Sequence, residues 1–158
     1  EPETVQFTRD NIRIQIKRAR TLELMGRLEA EDVSSGLSDD AYAAAAAGYQ
    51  KLDDRKQLSD AERRLWARTV RNLATAALNK NDAANAVTLF EEADHILPRP
   101  TADVLARKAA AYQLAGQPEK ARDFARMALD KLAEMEPTEH TQWMAAQMSD
   151  ILADATLP

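Results

Sequence analysis

The chain has 158 residues, no cysteine, only four glycines and six prolines, and abundant Ala, Leu, Glu, Arg and Gln. That is long enough to bury a core, and it is the composition of chains that spend most residues in helices. The lack of cysteine excludes disulfides, thiolate nucleophiles and cysteine-based metal sites, while a formal charge of −5 is small and of the wrong sign for neutralising phosphates, so nothing favours DNA or RNA.

The first apolar row, with spacings of three and four, runs through Ile12, Ile16, Ala19, Leu22, Met25 and Leu28 and predicts a helix from about Thr8 to Asp32. Within it Ile12 to Lys17 also alternates with period two, a strand reading that the three further helical turns outweigh. Ser34-Ser35-Gly36 reads as a break, and Ser38 as the N-cap of a second helix ending near Leu52, before Asp53-Asp54. This helix carries the least polar stretch, Ala41 to Tyr49, which is far shorter than the roughly 20 residues a membrane span needs. The chain is therefore expected to be soluble. Because it begins at Glu1 rather than Met, it is read as processed or cut, and both a cytoplasmic location and export with a signal removed stay open.

Ser59-Asp60-Ala61-Glu62 has the form of a capping box and should start a third helix that runs to about Lys80, with Asn81-Asp82 as a tight turn. A fourth follows from Ala83 to Leu97, stopped by Pro98-Arg99-Pro100. Thr101 caps a fifth that ends near Gly116, Pro118 opens a sixth that ends at Glu136-Pro137, and Thr138 opens a seventh that reaches roughly Ala155. Short connections between seven helices imply antiparallel hairpins.

The pattern around Ala86, Ala93 and Pro98 recurs around Ala121, Ala128 and Ala133, an offset of 35 residues. Here the chain resembles the tetratricopeptide repeat (TPR) family, whose unit is about 34 residues of helix, turn and helix. The first unit, 67–100, matches through Leu73, Ala74, Ala86, Phe90, Ala93 and Pro98. The second, 101–135, matches through Leu105, Ala109, Tyr112, Gly116, Ala121, Ala128 and Leu129. Departures are Val70 in place of Trp, Lys108 in place of an aliphatic residue, Asn81 in place of Gly, Ala125 in place of an aromatic and Ala133 in place of Pro. Residues 8–54 are expected to form a divergent N-terminal helix pair, and 138–156 a capping helix packed through Trp143, Ala146 and Ile151 with Met148 or Leu152. The expected fold is an all-α solenoid of antiparallel helix pairs.

No nucleophile with a base, metal cluster or phosphate loop stands out, so no cofactor, no metal and no enzymatic activity are expected. His95 four residues after Glu91 is too small a set for a metal and reads as a solvated helix end. His140 reads as a surface residue, and Glu91, Glu92 and Asp94 as a hydrated face. Trp66, Trp143, Tyr42 and Tyr49 are expected to fill the core, Trp66 sharing its side with Leu65, Val70, Leu73 and Ala77.

A basic stripe is more informative. Arg64, Arg68 and Arg71 lie four and three apart on one side of the third helix, and Thr75 continues the row. In the TPR family the first helix of each unit lines a concave groove that accepts peptides. The resemblance therefore implies that Arg68, Arg71, Asn72 and Thr75, with Asp103, Ala106, Arg107 and Ala110, face such a groove, which an acidic peptide would suit. Asn72 and Arg107 also stand where carboxylate-clamp members place Asn and Arg, but Asp103 reverses the charge of a clamp Lys. The expected function is a protein–protein adaptor or scaffold. A self-assembly module forming homo-oligomers and a non-catalytic segment of a larger enzyme or secretion component are the alternatives.

Overall fold

The computed structural model describes residues 4–29 and 33–154, without the side chains of 26–29 and 33–36. Seven α-helices and no strand occur among these residues: α1 (Val5–Glu29), α2 (Val33–Asp54), α3 (Asp60–Asn79), α4 (Ala83–Ile96), α5 (Ala102–Leu114), α6 (Pro118–Ala133) and α7 (Glu139–Asp154). Ile12 to Lys17 is helical, so the longer period governs. Asp32 and Ala155, the expected ends of the first and last helices, lie outside the described residues.

One boundary differs from expectation. The second helix begins at Val33, so Ser34-Ser35-Gly36 falls inside it and Ser38 is a buried residue of the helix interior, 2% exposed, rather than a cap. Helix-unfavourable Ser and Gly cost at most about 1 kcal/mol each. Here Ser38 begins the packed row Ser38, Ala41, Tyr42, Ala45, Tyr49, Leu52, which faces inward throughout.

The capping box at α3 is complete: Glu62 N–H donates to Ser59 Oγ and Ser59 N–H donates to Glu62 Oε1, both at 3.1 Å. Asp82 and Thr101 cap α4 and α5 through their side-chain oxygens. Three of the C-termini share one device. Gln57 N–H donates to Leu52 O, Asp82 N–H to Ala77 O and Gln117 N–H to Tyr112 O, each at 2.9 Å, closing three Schellman turns over α2, α3 and α5. The left-handed position in each is Lys56 (φ 55°), Asn81 (φ 60°) or Gly116 (φ 75°). Asn81 thus takes the backbone conformation that Gly takes one unit later.

Helices pack in consecutive pairs, α1 on α2, α3 on α4 and α5 on α6, with α7 on α6 and α5. The 35-residue offset is visible in the packing. Ala67 and Ala102, Ala74 and Ala109, Ala86 and Ala121, and Ala93 and Ala128 are all buried, letting paired helices approach closely. The aromatic filler is not shared between the units: Phe90 is buried where the next unit has the buried Ala125, and Tyr112 where the preceding unit has the buried Ala77. Tyr112 stacks on Phe124 with ring centroids 5.3 Å apart.

Two expected core assignments are corrected. Leu65 is 45% exposed although Trp66, Val70 and Ala77 are buried, because it lies on the opposite flank of α3. Trp143 is 56% exposed and Ala146 is exposed, whereas Thr141, Met144, Met148 and Ile151, spaced three to four apart, form the packed face of α7. The inward row of that helix starts two residues before the expected one.

Candidate functional site: a basic groove

A groove of about 800 Å³ runs between α1 and α3 and reaches α5. Its apolar lining comes from Ile12, Ile14 and Ile16 of α1, Tyr42 and Tyr49 of α2 and Leu65 of α3. Ile12 can sit this deep because residue 48 of the neighbouring helix is glycine: a Cβ there would come within 2.6 Å of Ile12 Cγ1. Tyr42 and Tyr49 are buried, with burial raising the pKa of both hydroxyls, so at neutral pH they are neutral hydrogen-bonding groups.

Charge is concentrated on the walls. Arg13, Lys17 and Arg20 follow one another by four and three residues along α1, while Arg68 of α3 and Arg107 of α5 stand on the other side. These five cations share the lining with a single carboxylate, Glu23, which accepts the Tyr42 hydroxyl at 3.1 Å. Arg20 and Arg68, one from each wall, both act electrostatically on that same hydroxyl. Arg13 reaches Asp10 at 3.7 Å, an exposed pair of small energetic weight. Lys17, Arg20, Arg68 and Arg107 form no salt bridge among the described residues.

One end of the groove is tied. Arg9 of α1 forks onto Glu62 of α3, Nε donating to Oε2 at 2.9 Å and a terminal nitrogen to Oε1 at 3.0 Å, and it also donates to Gln57 O at 2.7 Å. The Arg9 hydrogen bonds outweigh partial burial and, with those from Ser59, hold the Glu62 carboxyl well below the usual range, at about 2. A smaller cavity of about 430 Å³ beside this strap shares Ile12, Arg13, Tyr49 and Leu65 with the main groove.

Of the residues expected from sequence, Arg68, Asn72, Thr75 and Arg107 line the groove. Arg64 and Asp103 do not: Arg64 is exposed outside it, and Asp103 points to His140 of α7, 3.4 Å away. Arg71 leaves the stripe altogether. It is only 8% exposed and donates to Leu97 O at the end of α4, so it ties α3 to its pair partner instead of facing a ligand. Seven residues turn a helix only about 20° away from its starting direction, so the row keeps its side of α3; Arg71 is lost from it because its guanidinium turns to the Leu97 carbonyl at the end of α4 and is buried there. His95 is exposed, and Glu91 is committed to the Tyr112 hydroxyl at 2.8 Å. Asp94, expected to be hydrated, pairs instead with the buried Lys108, whose ammonium also lies 4.2 Å from the Phe124 ring centroid.

Sequence reasoning missed the α1 wall. The signal was present, since Arg13, Lys17 and Arg20 repeat the spacing seen at Arg64, Arg68 and Arg71. What was not legible was that α1 presents its row across a groove from Arg68 of α3. Comparison of the chain with models of known families and with curated proteins finds no match.

Proposed function

We propose that the chain is a TPR-type interaction module that holds a peptide or helix of a partner protein in this groove and acts by binding alone, as an adaptor or scaffold. The observation that carries the reading is a groove in which solvent-facing apolar side chains, Leu65 and Ile14, stand beside Lys17, Arg20, Arg68 and Arg107, which form no salt bridge among the described residues. Exposed apolar surface and unpaired charge gathered in one concavity are what a macromolecular ligand covers and neutralises. The 35-residue recurrence of burial and of the Schellman turns supports the TPR assignment, since stacked repeats turn their first helices toward one concave face.

Photocrosslinking in the source cell tests this. With benzoylphenylalanine replacing Leu65, a discrete adduct to a partner chain is expected, absent when the same residue replaces Trp143 outside the groove. Adducts only from position 143, or none from position 65, would overturn the reading. Adducts from position 65 to a second copy of this chain would move the function to self-assembly.

A further inference from the structure

Resting on that reading, we infer that the groove's occupant is an acidic amphipathic segment of a partner protein, gripped between the α1 row Arg13, Lys17, Arg20 and the opposing Arg68 and Arg107. Charge complementarity selects it. The lining holds five cations against Glu23, a net of +4 in a chain whose total is −5, so a local positive excess sits in this concavity while the residues outside it carry a net −9.

The distribution has two consequences. A partner with carboxylates on its flanks is drawn toward the groove and repelled elsewhere, which sets both orientation and encounter rate. An occupant that was acidic but wholly polar would leave the exposed Ile14 and Leu65 uncovered, so apolar residues must alternate with the acids. A nucleic acid fits less well: its phosphates would satisfy the cations, but the acidic remainder of the surface opposes a long polyanion, and Tyr42 and Tyr49 are buried instead of standing out as stacking platforms.

The cations also differ in standing. Arg13 has Asp10 nearby and Glu23 is held by Tyr42, whereas Lys17, Arg20, Arg68 and Arg107 form no salt bridge among the described residues, and Arg20 and Arg68 stand one on each wall of the groove. Arg20 and Arg68 thus sample both walls, and reversing the two charges together tests the grip from each side.

Selection from a random twelve-residue phage-displayed peptide library tests this without presupposing a sequence. The library is panned on the whole chain and on an Arg20→Glu, Arg68→Glu variant whose helicity is checked by circular dichroism. Enriched peptides should combine several Asp or Glu with apolar residues. A synthetic copy should lose on the order of tenfold in affinity on the double variant, and a similar factor between 50 and 300 mM salt, as screening weakens the charge contacts. Neutral or basic peptides that are still displaced by a substitution at Leu65 would overturn the acidic occupant and leave the groove reading standing. No enrichment, or peptides indifferent to Leu65, Arg20 and Arg68 alike, would overturn both. Displacement of the selected peptide by equimolar oligodeoxythymidylate would give the groove to nucleic acid and overturn the proposal.

Discussion

At the scale of single residues, three arginines of similar appearance in the sequence have three different tasks. Arg9 straps α1 to α3 through Glu62, Arg68 faces the groove, and Arg71 is buried beneath the α4 terminus. Replacing Arg71 with Ala leaves the Leu97 carbonyl without its donor, a loss of about 1–3 kcal/mol in urea unfolding with no change in ligand binding. The Arg9–Glu62 strap predicts a pH dependence. The carboxyl titrates at about 2 in the folded chain, below its ordinary 4.5. Its stabilisation is therefore complete above about pH 4.5 and is lost as pH falls toward 2. Wild type should exceed Glu62→Gln in urea midpoint at pH 6, and the gap should close steadily between pH 4.5 and 2. A constant gap would show that the strap does not form.

At the scale of elements, local chemistry specified most of the helix boundaries. The Ser59 box, the Thr101 cap and Pro118 each lie where a helix begins, because each satisfies or removes a free backbone N–H. Val33 shows where this logic fails: the Ser34-Ser35-Gly36 signal is local, and tertiary packing of the α2 row overrode it. The turns make a direct prediction. Gly116 adopts φ 75° with nothing within 4 Å of where a Cβ would stand, so Gly116→Ala should cost about 1 kcal/mol by backbone strain alone. Lys56→Gly, at φ 55°, should stabilise by about 0.5–1 kcal/mol. Thermal or urea unfolding of the two variants, moving in opposite directions, checks the shared turn.

At the scale of the molecule, the repeat was legible and the site only half so. Alanines spaced for close approach carry their meaning in one dimension, and the four pairs Ala67 and Ala102, Ala74 and Ala109, Ala86 and Ala121, and Ala93 and Ala128 are buried. A groove belongs to helices distant in sequence. Arg68, Asn72, Thr75 and Arg107 could be placed by repeat phase, but the α1 wall could not, because the N-terminal pair matches the repeat in character without sharing its register.

The central claim is that ligand binding belongs to this groove, and Arg64 and Arg68, one turn apart on α3, allow it to be isolated. Partner capture from the source cell should be lost with Arg68→Glu, which reverses a charge on the groove wall, and retained with Arg64→Glu, which makes the same change outside it. Both variants should keep wild-type helicity. Equal retention or equal loss of the partner by the two variants would contradict the account.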